Sequence, residues 1–333
     1  MGKGIVNVAL LGAGEVGQLH AETLAHHVSG ARLVAVVDPV VSNAKRAAAL
    51  AAAVVAASPD EVLRDDGIDA VVIASPTRFH AALIIAAARH GKHVFCEKPI
   101  ALTLEEAQAA LDAVAAAGVK LQIGFQRRFD AAYLRAHQAI VSGEIGRVEL
   151  LLSTTRDPEP PAPGYLESCG GVFLDTAIHD FDSVRFLSGE EVVEVFATAS
   201  TLVTTDRHGP FDLDTVVIVL RLRSGALASV TNALRTAYGY EAGAEVFGSE
   251  GKLVIGASDG AGVQLYGPHG VATAYPGSYQ ERFGAAYRAA IIDFIRCVAD
   301  DAAPRVSGED GVRALEIARA ATRSQRARQP GRL

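Results

Sequence analysis

Two short stretches of the chain place acids, a base and an ammonium at spacings that can move protons. In Asp175-Thr176-Ala177-Ile178-His179-Asp180-Phe181-Asp182, the residues Asp175, His179 and Asp182 stand at i, i+4 and i+7, one polar stripe of a helix. Leu174, Ile178, Phe181 and Val184 form the apolar stripe beside it. An acid one turn before a histidine orients the ring, fixes its tautomer and stabilises its charged form, as a general base requires. A solvated histidine bonded to a helical neighbour has the same spacing. Gly170-Gly171 supplies a bend just ahead, where a substrate could close in. The second stretch, Cys96-Glu97-Lys98-Pro99, ends an apolar run, and Pro99 holds Lys98 extended. Lys and Glu are rarely buried without partners. Lys98 is therefore either paired with Glu97 or working, unless the tripeptide is a plain surface turn. His20, His26, His27, His90, His137, His208 and His269 lack such partners in the sequence and read as surface or structural.

A third motif points to a bound anion. Gly12-Ala13-Gly14-Glu15-Val16-Gly17 follows an apolar run and opens a helical one, and Asp38 ends the next strand 21 residues after Gly17. Gly12 permits the tight turn, Gly14 lets backbone approach a pyrophosphate, and Gly17 allows close helix–strand packing. Unpaired N–H groups and the helix dipole favour the phosphate charge. Asp38 is suited to ribose hydroxyls and repels a 2′-phosphate by about 4 kcal/mol at ~4 Å. Pro39 follows it, and Lys45 and Arg46 are poorly placed to receive that phosphate. NAD is expected in preference to NADP.

The elements that position these residues change character along the chain. Ile5–Leu11, Leu33–Val37, Ala70–Ala74, Val94–Cys96 and Leu121–Ile123 are apolar strands alternating with helices. Strands apolar on both faces suit a parallel sheet covered on both sides, hence a doubly wound α/β domain. After the helix Ala131–Ser142, strand-like runs dominate, separated by breaks such as Ser224-Gly225. Along Thr215–Arg223, Val216, Ile218, Leu220 and Leu222 alternate with Val217, Val219, Arg221 and Arg223, the pattern of an open, mainly antiparallel sheet. The expected division is a dinucleotide-binding domain over 1–124 and an α+β domain over 125–333. The closing helix, 308–325, is free to pack back on the first domain, and Arg323–Arg332 reads as a solvated tail.

Composition narrows the class. The 333 residues carry a net charge of −7 with few basic clusters, which argues against nucleic acid and anionic membrane surfaces. The longest apolar run, Ala47–Ala57, covers 11 positions, short of the ~18 a membrane span needs. Cys96, Cys169 and Cys297 give neither a zinc spacing nor a disulfide framework, which suits a reduced, cytosolic protein without a metal. No signal peptide is read after Lys3, and Val6 stands where myristoylation of Met1-Gly2 would want Ser or Thr. With no tryptophan and 6% aromatics, a polar pocket would rely on charged and hydroxyl groups.

Taken together, Gly12–Gly17, Ala74-Ser75-Pro76-Thr77 with His80, Glu97-Lys98-Pro99, and Gly170-Gly171 leading to Asp175 and His179 resemble the glucose–fructose oxidoreductase/inositol dehydrogenase/rhizopine-catabolism (Gfo/Idh/MocA) family. Gly124–Asp130, Arg156-Asp157-Pro158 and Gly170–Asp175 look most like its inositol 2-dehydrogenases. The resemblance implies a Rossmann domain, an NAD-dependent oxidation of a cyclic polyol or sugar, and a catalytic trio of Lys98, Asp175 and His179. It implies that Gly12–Val16, Asp38, Ser75, Pro76, Thr77, His80, Glu97 and Lys98 hold the cofactor. Lys98, Asp175, His179, Arg127, Asp157, Asp182 and either Tyr238 or Tyr240 would then meet the polyol. It further implies dimers or tetramers paired through the second sheet. An inositol of another configuration, an aldose, an NAD-dependent glycosidase reaction and a non-catalytic NAD sensor remain as alternatives.

Overall fold

The computed structural model describes residues 4–203, 209, 211–256, 264–267 and 270–333. Met1, Gly2, His208 and His269, on which earlier expectations fall, lie outside the described residues. The chain divides into two compact units, residues 1–126 with 285–315, and residues 127–284 with 316–333.

The first unit is built on six parallel strands, β1 (Val6–Leu11), β2 (Ala31–Val37), β3 (Val54–Val55), β4 (Ala70–Ile73), β5 (His93–Cys96) and β6 (Leu121–Ile123), ordered 3-2-1-4-5-6. Val8, Leu10, Val71, Val72 and Phe95 are wholly buried, as strands covered on both faces require. Helices α1 (Glu15–His26), α2 (Val41–Ala49), α3 (Pro59–Leu63), α4 (His80–Arg89) and α5 (Leu104–Ala117) connect them. α5 shows why this sequence folds locally as it does. Thr103 and Glu106 close a reciprocal capping box at its start, and Gly118, left-handed at φ 65°, ends it. Strand order reverses between β1 and β4, so the crevice at their carboxyl ends is where a ligand is received.

The second unit opens with α6 (Ala131–Val141) and β7 (Val148–Arg156), then α7 (Tyr165–Cys169), α8 (Val172–Asp175) and α9 (Ala177–Ser188). Strands β8 (Val192–Ser200), β9 (Thr215–Leu222), β10 (Leu227–Ala233), β11 (Glu241–Gly248) and β12 (Lys252–Ile255) follow, with a separate hairpin, β13 (Gln264–Gly267) and β14 (Gly270–Thr273). α10 (Tyr279–Ala299), α11 (Gly308–Ala327) and β15 (Gly331–Arg332) complete the chain. The large sheet runs 12-11-7-10-9-8-15, antiparallel throughout except β7–β10. Along β9 the burial alternates as the sequence predicts, with Val216, Ile218, Leu220 and Leu222 inward. The Arg-rich end is exposed at Arg323, Arg326, Arg328 and Arg332, as expected, but its backbone is not loose: Gly331 and Arg332 pair with Val195 and Glu194 and extend the sheet by a strand.

Candidate functional site

In the first unit the glycine turn lies at the crevice between β1 and β4. Gly12 adopts φ 98°, and a Cβ there would lie 2.6 Å from the backbone of Ala74 and Ser75, so no other residue fits. At Gly14 a Cβ would meet nothing within 4 Å, which leaves open space in front of the turn. Gly14, the residue that caps α1, offers no side-chain hydrogen bond of its own to the first N–H groups of the helix. Asp38 accepts hydrogen bonds from the backbone N–H of Ala13 (2.6 Å) and Val40 (2.8 Å), which ties the end of β2 to the turn. Ser75 Oγ is buried without a hydrogen-bond partner. An open cradle, an acid beside it and an orphaned hydroxyl fit a dinucleotide.

The Glu97-Lys98-Pro99 corner follows β5, and its Lys98–Pro99 peptide is cis. Glu97 turns inward, 6% exposed, with Oε1 2.7 Å from Nε2 of His20. That ring is wholly buried edge-on to Phe95 and Tyr287. His20 is thus a structural residue, as one of its two readings had it, but a buried one with a partner that the sequence does not reveal. The partner lies 77 positions away, beyond any local spacing. A Cβ on Gly124 would come within 2.8 Å of the Glu97 carboxylate, so the glycine makes room for it. His80, grouped with the cofactor residues, is 1% exposed, and both its ring nitrogens face backbone carbonyls, of Ser75 and Pro99.

In the second unit, Gly170 and Gly171, each at φ 90°, turn the chain from α7 into α8. Asp175 ends α8, and His179 lies in the first turn of α9. Both are half-buried, while their neighbours Thr176, Asp180 and Asp182 are buried. Tyr165 of α7 donates to Asp175 Oδ1 at 3.4 Å. The negative charge of Asp175, and then burial, hold its phenol protonated well above the ordinary tyrosine range. Sequence reading missed Tyr165.

It also missed Asp180, a wholly buried acid bonded by four side chains. Asp180 accepts from Arg127 (2.9 Å), Ser153 (2.6 Å), Thr155 (2.8 Å) and Asn232 (2.7 Å), all buried. Ser153 and Thr155 share a face of β7 by the period of two, and Asn232 stands opposite Thr155 on β10. Burial is the largest influence and opposes the charge on Arg127, but Asp180, Tyr133 and Tyr240 together hold the guanidinium above its ordinary range. Arg128 grips Asp182 through both carboxylate oxygens at 2.6–3.1 Å. Arg127 and Asp182, expected to meet a polyol, each sit in a buried ion pair, and Arg127 Nε is buried without a hydrogen-bond partner. The single helix expected across this stretch is divided at Thr176, with Asp175 closing α8 and His179 and Asp182 on α9, where Asp182 is fully buried. Of the two tyrosines, Tyr238 is 48% exposed and donates to Glu241, while Tyr240 is 5% exposed beside Arg127 and within electrostatic reach of Asp157. Burial pushes the Tyr240 phenol up. Among the described residues no cluster of three or more His, Cys, Asp or Glu could hold a metal ion.

Comparison with known proteins accords with both halves. A family model described as an oxidoreductase family with an NAD-binding Rossmann fold matches residues 6–125, and the GFO/IDH/MocA C-terminal domain matches 133–254. A myo-inositol 2-dehydrogenase of Thermotoga maritima is 38% identical over 321 residues, 96% of each chain. A scyllo-inositol 2-dehydrogenase (NAD⁺) of Bacillus subtilis is 38% identical over 329 residues, 98% of this chain and 96% of the relative. The solved structure of a Lactobacillus casei myo-inositol dehydrogenase in complex with NAD(H) and myo-inositol superposes with a TM-score of 0.90 at 29% identity, covering 99% of this chain and 97% of that one.

Proposed function

The chain belongs to the GFO/IDH/MocA oxidoreductase family, and on that premise we propose that it oxidises a secondary hydroxyl of an inositol, myo-inositol to the 2-keto-inositol, with NAD⁺. The observation that carries this reading is the match to inositol 2-dehydrogenases across 96% of the chain. The first unit is the cofactor-binding part and the second the substrate-binding part. Gly12–Val16, Asp38, Ser75, Pro76, Thr77 and the Glu97-Lys98 corner hold the dinucleotide. The Asp38 carboxylate favours NAD over NADP by repelling a 2′-phosphate. Bound NAD⁺ supplies the hydride acceptor.

The protein's own residues manage the proton and the charge. An alcohol does not release its proton unaided near neutral pH, so a base must take it as the hydride leaves. His179, with a reference pKa of ~6.5, is that base, worth about 10²–10⁴-fold. Asp175 orients it. The Lys98 ammonium holds the hydroxyl and stabilises the charge growing on its oxygen. Arg127, Asp157 and Tyr240 are the further polyol contacts. Tyr240 is preferred to Tyr238 because it is buried among polar groups while Tyr238 faces solvent.

Subunits pair through the open face of the large sheet, as dimers or tetramers. Phe196, Val217, Val219 and Leu227 stand 39–45% exposed on that face, and Phe196 lies opposite Val219 across β8 and β9. Contiguous apolar patches of this kind mark association surfaces. The protein works in a reducing compartment, the cytoplasm. All three cysteines are buried and free, and no described helix is long and apolar enough to cross a membrane.

The test is NADH absorbance on mixing the protein and NAD⁺ with a panel of inositols and aldoses, repeated with NADP⁺. NADH from myo-inositol, with little NADPH, is the expected result. A flat trace across the panel contradicts the reading and leaves the glycosidase and sensor alternatives.

A further inference from the structure

His80 presents a chemical conflict. Its ring is 1% exposed, with Nδ1 2.7 Å from the carbonyl oxygen of Pro99 and Nε2 2.7 Å from that of Ser75. Carbonyl oxygens only accept hydrogen bonds, whereas a neutral imidazole donates from one nitrogen and presents a lone pair at the other. Both contacts are hydrogen bonds only when each ring nitrogen carries a hydrogen. In the neutral ring one of the two becomes a lone pair held against a carbonyl, and that pair must separate.

The two carbonyls belong to the segments that leave adjacent parallel strands. Ser75 is two residues beyond the end of β4, Pro99 follows Lys98 beyond β5, and Ile73 and Cys96 are register partners. The width of one imidazole therefore sets the spacing between the Ser75–Thr77 turn and the Lys98 corner. We propose that His80 is a positioning residue, a clamp that joins these two segments fully as an imidazolium and releases one of them as a neutral ring. The proposal rests on the reading of both segments as the cofactor pocket.

The charged groups around the ring are Glu97, which favours its charged form, and Lys98, which opposes it. Glu97 is itself bonded to His20. Burial is the largest influence and pushes His80 below its ordinary 6.5, against the two carbonyls and Glu97. The clamp is therefore complete only on the acidic side of that value. A histidine that merely filled the core would affect stability, but not the pH dependence of cofactor affinity.

The experiment titrates NADH into the full chain, wild type and His80→Gln, from about pH 5 to about pH 8, the range in which histidine changes charge. Nucleotide fluorescence reports binding. A glutamine amide holds a carbonyl without titrating, and the remaining histidines titrate alike in both proteins. Wild-type affinity is expected to tighten about fivefold toward the acidic end relative to the variant, the worth of one net hydrogen bond. Identical pH profiles in the two proteins overturn the proposal. Long-range ¹H–¹⁵N correlation of the histidine side chains gives a second reading, with His80 assigned from His80→Gln or His80→Asn. Hydrogens on both nitrogens at acidic pH, with one lost on titration, support the clamp. One bare nitrogen at every pH overturns it. Neither measurement uses turnover, so a protein that binds NADH without oxidising inositol removes the proposed activity and leaves the clamp standing. If NADH fails to bind at any pH, the cofactor reading falls, and the nitrogen spectra still decide the clamp.

Discussion

The Lys98 corner of the first unit and helix α9 of the second solve one problem, presenting a polar group at the surface of a packed unit, with different materials. The corner is held by backbone and by two buried imidazoles, His80 on carbonyl oxygens and His20 on Glu97. Helix α9 is held by two ion pairs, Arg127–Asp180 and Arg128–Asp182, both nearly without solvent access. Imidazoles bonded in this way tie short loops to their neighbours. A buried guanidinium–carboxylate pair stays charged at any ordinary pH, and so it anchors a whole helix face in one register. The half-buried Asp175, at the end of α8, and His179, in the first turn of α9, are not consumed by this anchoring.

That contrast is broken most severely at Asp180. Asp180→Ala leaves Arg127 buried without its carboxylate and strands Ser153, Thr155 and Asn232, so stability should fall by about 3–5 kcal/mol in denaturant unfolding. A loss below 1 kcal/mol would show that the pair is not an anchor. On the other side, His20→Leu removes the donor to the buried Glu97 carboxylate while keeping the packing volume. The expected loss is about 1–3 kcal/mol, smaller because the acid can reorient. A drop as large as that of Asp180→Ala would erase the distinction between the two constructions. Tyr165→Phe deletes one 3.4 Å hydrogen bond to Asp175 on a half-exposed ring. kcat/KM for myo-inositol should fall about fivefold with stability nearly unchanged, and an unchanged kcat/KM would remove Tyr165 from the account. Smallest of all, Glu149→Gln breaks an ion pair to Arg147 whose side chains are 50% and 76% exposed. It should move stability by less than about 0.5 kcal/mol, and a larger change would mean that surface charge contributes as much as the buried frame.

The same contrast explains what could be read from the sequence. Features whose partners lie within one turn or one strand were legible: Gly12 through Gly17, Asp38 after β2, and the alternation along β9. The pairing of Asp175 with His179 one turn on was legible too, although the chain breaks at Thr176 and puts them on two successive helices. Period does not fix depth. Asp180 is adjacent to His179 and gives no local signal, and the polar stripe does not tell that Asp182 is buried, because burial depends on what packs above each residue. The polar inward positions Ser153, Thr155 and Asn232 were the available signal, since three hydrogen-bonding side chains on one buried sheet face require a shared partner. His20 gave no such signal. Its partner Glu97 is 77 residues away, and only the folded sheet brings them together.

The central claim is that Lys98 and His179 serve one hydride transfer from an inositol to NAD⁺. It is tested most directly by measuring NADH formation from myo-inositol by the wild type, Lys98→Ala and His179→Ala, with NADH affinity determined on the same preparations. The account predicts turnover by the wild type, a loss of about 10²–10⁴-fold in kcat for each variant, and cofactor affinity within a few-fold of wild type. Near-normal turnover in either variant would contradict it.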